Sequence, residues 1–250
     1  MIDIERTVRE VLSELDEPQV EWASLKEVEI CEIPRRLEHS LLSVGLTREE
    51  LLNECRLART LQVATVCIAP YYVTEAVRML EGSGVLVCAA VGLPSAFMST
   101  EAKIADVRAC VMHGASEIDL AINIAAVKSG DYTTAERDFK SALYAANDRA
   151  AIKAVFEHSI YDARECDFVL DMIGRSGVKY IKIQNITSGH GARVEEIMNV
   201  RGILGDKIKI KIDGGVKTLN HAMKLLNAGA SRIGLTATRA VAEAALSELK

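Results

Sequence analysis

Eight short runs rich in valine, isoleucine and alanine recur along this chain, and each is followed by a segment carrying helix signals. The candidate strands fall near 36–42, 61–69, 85–91, 117–124, 151–157, 179–184, 208–212 and 231–235. Between them, Thr47 with Glu50 and Thr133 with Glu136 have capping-box spacing, Ser99 opens another helix, and Gly114 and Gly177 stand where helices end. Strands that alternate with helices must pair in parallel, because each crossover helix returns the chain to the same end of the sheet. Eight such units in about 215 residues predict an α/β fold of the closed (β/α)8 type, the TIM barrel. The alternative is an open, doubly wound sheet, against which stands the absence of a Gly-x-Gly-x-x-Gly turn after the first strand.

This grammar runs without a linker, so residues 1–250 are expected to form a single domain. Ile4, Val8, Val11 and Leu12 recur at helical spacing, making 1–33 an N-terminal helical extension and 34–250 the barrel. A net charge of −5 weighs against nucleic acid or an anionic membrane as partner. The chain has no apolar stretch of membrane-spanning length and no signal-peptide pattern at its start, so a cytoplasmic location is expected. Six cysteines and five histidines are scattered without ligand spacing, so no metal is expected and the thiols are expected to be reduced.

Two lysines carry the chemistry. Lys182 lies in Tyr180-Ile181-Lys182-Ile183, and Lys211 ends a run that leads into Ile212-Asp213-Gly214-Gly215. Each run alternates lysine with isoleucine, which by itself fits a strand with one solvated face. A barrel interior has no such face except at its ends, so the lysines must be buried or lie at a mouth. Burial destabilises an ammonium, and a second cation nearby does so further; an amine treated in this way attacks a carbonyl at neutral pH.

The active site of such a barrel sits at the C-terminal strand ends. Those positions supply Glu38 and His39, Cys67, Asp119 and Asn123, Glu157, Lys182 and Gln184, and Lys211 and Asp213. Carboxylates beside an amine are what imine chemistry needs, since carbinolamine formation and dehydration both move protons. Gly214, Gly215, Gly234 and Thr236 fall in the loops after the seventh and eighth strands, where barrels commonly hold a phosphate, and Thr238 and Arg239 follow as further anion contacts.

These residues resemble the deoxyribose-phosphate aldolase family from about Leu37 to the C-terminus. Leu37-Glu38-His39-Ser40-Leu41-Leu42 is similar to the family's Ile-Asp-His-Thr-Leu-Leu, and Thr65-Val66-Cys67-Ile68-Ala69-Pro70 to its Ser-Val-Cys-Val-Asn-Pro. Gly92-Leu93-Pro94, Ser99-Thr100-Glu101-Ala102-Lys103, Glu117-Ile118-Asp119, Lys182 and Lys211-x-x-Gly214-Gly215 also match. The resemblance implies a class I aldolase, without metal or organic cofactor, that joins acetaldehyde to glyceraldehyde 3-phosphate. It implies that Lys182 forms the Schiff base, Lys211 lowers its pKa and Asp119 relays protons; from their places at the strand ends and in the loops, Glu38, Cys67, Gln184, Asp213, Gly214, Gly215, Gly234 and Thr236 are expected to bind substrate. It also implies a homo-oligomer acting on a small aldehyde, ketone or sugar phosphate.

The chain departs from the family at Lys182-Ile183-Gln184-Asn185-Ile186-Thr187 and Gly234-Leu235-Thr236-Ala237-Thr238, where phosphate-binding glycine and hydroxyl positions are replaced. A Schiff-base lyase or condensing enzyme with a different, unphosphorylated acceptor is therefore the first alternative. A catalytically silent ligand-binding barrel is the non-enzymatic one.

Overall fold

A computed structural model describes residues 28–94, 96–185, 189 and 191–249. Eight parallel strands close into a barrel in sequence order: β1 (Leu37–Leu41), β2 (Thr65–Ile68), β3 (Leu86–Val91), β4 (Glu117–Ala121), β5 (Ala151–Glu157), β6 (Tyr180–Gln184), β7 (Lys209–Asp213) and β8 (Arg232–Leu235). β8 pairs with β1 through Leu37–Ile233 and Glu38–Gly234, so no edge is left open. The expected leading helix lies outside the described residues, except for 28–33, which hold a short 3-10 turn over Ile30–Glu32.

Strand alternation divides the side chains by chemistry. Val66, Ile68, Ile118, Leu120, Ile152, Ile181, Ile183, Ile210, Ile212 and Ile233 point outward and are buried in one core with the helices. Each isoleucine fully withdrawn from water there contributes roughly 2 kcal/mol. The inward positions are mostly polar, and the apolar ones form a small separate cluster of Cys67, Cys88 and Ala90 with Leu93. The core that holds the fold together therefore lies between strands and helices, which leaves the barrel interior free for charged groups.

The helices that make this layer are α1 (Arg48–Leu61), α2 (Val73–Leu80), α3 (Thr100–Met112), α4 (Ile124–Lys128), α5 (Tyr132–Ala146), α6 (Ala163–Ser176), α7 (Val194–Leu204), α8 (Leu219–Asn227) and α9 (Thr238–Ser247). Thr47 and Glu50 form the expected capping box at α1. Thr133 and Glu136 do not form one. Asp131 caps α5, its carboxylate accepting from Thr134 N–H, because the chain enters the helix two residues earlier than the Thr-x-x-Glu spacing suggests. The second strand is shorter than 61–69, since α1 runs on to Leu61 and turns through Gln62 in the left-handed region (φ 54°). The fourth ends at Ala121 rather than 124, because the Asn123 side chain caps α4, a helix the apolar run concealed. Lys103 and Asp138 pair in complete burial between α3 and α5, with the ammonium also donating to Ala121 O at 2.9 Å.

Candidate active site

Inside the barrel, basic and acidic side chains alternate along a continuous chain of ion pairs. From the N-terminal strand ends upward it runs Arg232, Glu117, Lys153, Glu38, Lys211, Asp119, Lys182, Asp213. Arg232 Nη1 donates to Glu117 Oε2 at 2.7 Å, Lys153 Nζ to Glu38 Oε2 at 2.9 Å, and Lys211 Nζ to Asp119 Oδ2 at 2.7 Å. Lys182 Nζ lies 2.9 Å from Asp119 Oδ2 and 2.8 Å from Asp213 Oδ2. Four cations against four carboxylates leave this chain of ion pairs neutral, which is the condition for burying it, since each ion alone would cost several kcal/mol.

The charges hold one another in their ionised forms. Burial works against the Glu38 carboxylate, yet Lys153 and Lys211 hold its pKa down at about 2. Asp119 is likewise held well below the usual range, with Lys182, Lys211 and Lys153 overcoming its burial. The lysines differ from expectation. Burial pushes the Lys182 ammonium toward the neutral amine and Lys211 adds to that push, but Asp119 and Asp213 together outweigh both, so its pKa is raised. Sequence placed the desolvation and the second cation correctly and omitted the second carboxylate. Lys182 is thus held toward its ammonium form in contact with two proton acceptors, and a neutral amine forms when one of them takes its proton.

Above this chain opens a cavity of about 860 Å³ at the C-terminal strand ends. Of the residues predicted for the site, Lys182, Gln184, Asp213, Gly214, Gly215, Gly234 and Thr236 line it. Glu38, Cys67 and Asp119 do not; all three are fully buried beneath its floor. Glu38 and Cys67 are therefore corrected from substrate contacts to supports. Glu38 carries Lys211 and Lys153, and the Cys67 thiol lies 3.6 Å from Asp119 Oδ2. Strand alternation reveals which residues face inward, but height along the barrel depends on the stagger between strands, which sequence spacing alone does not give.

Lys211 is likewise buried below the wall. His39 points outward, between Thr238 Oγ1 at 2.7 Å and Glu54 Oε2 at 2.8 Å. Thr238 is fully buried in that contact and Arg239 pairs with Glu243, so neither extends the expected anion site. Asn123 is occupied as the α4 cap, and Glu157 is buried, accepting from the Ser159 hydroxyl.

Lys153 was missed, although Ala151-Ile152-Lys153-Ala154-Val155 carries the same signal as the run around Lys182. It sits one inward position lower, since Val155 rather than Lys153 is the register partner of Lys182. Asn185 was also missed; it lines the cavity with its amide donating to Glu196, and no described residue donates to its Oδ1. The opposite wall, from Leu42, Val44, Leu46, Tyr71, Tyr72 and Leu93, is largely apolar.

Glu38, Cys67, Cys88 and Asp119 bring four potential metal-ligand atoms within 4.8 Å of one another. The Lys153 and Lys211 ammonium groups already stand against these donors, so the positive charge a metal would supply is provided by the protein. All six cysteines are free, and among the described residues no helix is long and apolar enough to cross a membrane.

No family model matches the chain. It is 35% identical over 199 residues to the deoxyribose-phosphate aldolase of Desulfitobacterium hafniense (strain DSM 10664 / DCB-2), covering 79% of this chain and 91% of that protein. It is 32% identical over 207 residues to the protein of that name from Clostridium kluyveri, covering 83% and 95%. Among solved structures, an aldolase called QR15 superposes with a TM-score of 0.82 at 25% identity, over 87% of this chain and 97% of that one. The deoxyribose phosphate aldolase from Aeropyrum pernix shares the fold, with a TM-score of 0.80 at 21% identity over 90% and 96%.

Proposed function

The chain belongs to the deoxyribose-phosphate aldolase family and is an aldolase, a carbon–carbon lyase; on that premise we propose that it works through a Schiff base on Lys182. The observation that carries this reading is positional. Of the three lysines inside the barrel, Lys153 and Lys211 are sealed below the floor, while Lys182 lies on the cavity wall with two carboxylates in contact.

When a carbonyl enters, Lys182 Nζ passes a proton to a touching carboxylate and attacks the carbonyl carbon; loss of water then gives the protonated imine. Asp119 and Lys211 lie in contact with each other and hold the proton inventory of the site from below. On this reading the substrate is a 2-deoxyribose 5-phosphate-like aldol, cleaved to acetaldehyde and glyceraldehyde 3-phosphate. The phosphate end lies toward Gly214, Gly215, Lys217, Gly234 and Thr236, and Gln184 contacts the substrate. The enzyme acts as a cytoplasmic homo-oligomer, as the family resemblance implies.

The apolar wall of Leu42, Val44, Leu46 and Tyr71 favours a second reading, in which the acceptor is an unphosphorylated aldehyde with an apolar tail. Borohydride reduction in the presence of acetaldehyde tests the chemistry common to both. A 28-Da ethyl adduct on Lys182 is the expected mass shift for reductive addition of one two-carbon aldehyde, about 28 Da from the imine stoichiometry. Its absence, or normal turnover by Lys182→Ala, would refute the Schiff base.

A further inference from the structure

The Schiff base accounts for one end of an aldol cleavage, and a base must still remove the proton of the substrate's β-hydroxyl. Asp119 is placed poorly for that task. It is fully buried, is absent from the cavity wall, and has both oxygens engaged: Oδ2 with Lys182 and Lys211, Oδ1 with Cys88 at 3.2 Å and Lys153 at 3.3 Å. Asp213 differs in each respect. It ends β7 on the cavity wall, its Oδ2 contacts Lys182, and its Oδ1 is buried with no hydrogen-bond partner among the described residues. A buried carboxylate oxygen left without a donor beside the nucleophile marks a place where a ligand supplies one.

A second observation points the same way. Gly234 is the register partner of Asp213 on β8, and a Cβ on Gly234 would stand only 1.9 Å from Asp213 Oδ1. The glycine is thus required by the carboxylate's position: its missing side chain lets Asp213 lie against β8 while the residue lines the cavity.

The geometry points to Asp213 as the general base that takes the β-hydroxyl proton of the aldol during carbon–carbon cleavage, an assignment that rests on the Schiff-base reading above. In that step the Asp213 carboxylate accepts the hydroxyl proton, and the O–H electron pair becomes the second C–O bond of the departing aldehyde. The bond between the α and β carbons breaks. Its electrons form the enamine double bond, while the imine π pair returns to Lys182 Nζ. In the condensing direction Asp213 returns the proton to the new alkoxide. Asn185 Oδ1, also buried without a partner on the cavity wall, suits a further hydroxyl, so the substrate class is a polyhydroxylated β-hydroxy aldehyde rather than a simple apolar one.

The test separates enamine chemistry from cleavage in the full chain. Acetaldehyde methyl exchange in D2O requires the imine and enamine but no β-hydroxyl; cleavage of 2-deoxyribose 5-phosphate and of 3-hydroxybutanal requires both. Asp213→Asn is expected to keep the borohydride adduct, but with its pH profile moved toward acid because Lys182 loses one of its two carboxylates, so the quantity read is the ratio of cleavage to exchange with each measured at its own optimum pH. Asp213→Asn is expected to lower that ratio by about 100-fold or more, the scale of a lost general base. Gly234→Ala, which displaces the carboxylate without removing it, should give the same selective loss. Unimpaired cleavage in Asp213→Asn, or exchange and cleavage falling by one common factor, would overturn the assignment and leave the aldolase reading standing. If the unmodified protein forms no adduct and cleaves neither probe, the Schiff-base reading itself falls and carries this assignment with it.

Discussion

Lys182 and Lys211 stand in register on β6 and β7 and share one oxygen, Asp119 Oδ2, at 2.9 and 2.7 Å. Two ammonium groups on one carboxylate oxygen are tolerable only because Glu38 and Asp213 lie beyond them, one on each side. The nucleophile is therefore one position in an alternating series, and a change anywhere along the series alters its proton affinity.

The same series fixes how stability responds to pH. Glu38 has a folded pKa of about 2 against an ordinary 4.5, and Asp119 is lowered in the same direction. A lowered carboxylate pKa stabilises the fold above the unfolded value and stops doing so as pH falls through the folded one. Stability should hold down to about pH 4.5 and then be lost progressively toward pH 2, with Glu38 alone accounting for about 3 kcal/mol. Lys153, Lys182 and Lys211 are raised, so their contribution is complete below the unfolded pKa of 10.5 and disappears only at still higher pH. Urea unfolding at a series of pH values checks this. Glu38→Gln should flatten the acid limb and lower stability at pH 7 by about 3 kcal/mol, because Lys153 and Lys211 each then lose one of their carboxylates while keeping Glu117 and Asp119.

A smaller test concerns the start of α5. The Asp131 carboxylate accepts from Thr134 N–H, and Thr133 has no capping role. Asp131→Ala should cost about 1 kcal/mol in chemical denaturation, and Thr133→Ala less than half of that. Equal losses, or a larger one at Thr133, would restore the capping box that the Thr-x-x-Glu spacing suggests.

That correction illustrates what could be read before the fold was known. The barrel was legible because alternation between β-branched runs and capped helices is a local signal repeated eight times. Inward-facing positions were legible too, since side chains on a strand alternate with period two. Depth was not. Glu38, Cys67 and Asp119 occupy inward positions like Lys182 and Asp213, yet the first three lie under the cavity floor. The raised pKa of Lys182 was hidden for a related reason. Asp213 comes from a different strand, and only the stagger of β6 against β7 brings its Oδ2 to 2.8 Å from the amine.

The shared oxygen leads to opposite pH shifts for two substitutions at neighbouring positions. Lys211 disfavours the Lys182 ammonium and Asp119 favours it. Removing the cation in Lys211→Met must therefore raise the pKa of Lys182, so adduct formation with acetaldehyde at pH 7 should fall by about tenfold for each pKa unit and recover at alkaline pH. Removing the charge in Asp119→Asn must lower the pKa of Lys182 and move the same profile toward acid, even where the maximal rate drops for want of a proton relay. Following the rate of borohydride-trapped adduct from pH 5 to 10 in both variants reads the two displacements as opposite offsets of the rising limb, which lies below the raised Lys182 pKa, and melting curves at each pH show that the barrel is intact. Shifts of one common sign would mean that the two side chains act on Lys182 through position alone. Opposite shifts make Asp119 Oδ2 the point at which the charge of the nucleophile is set.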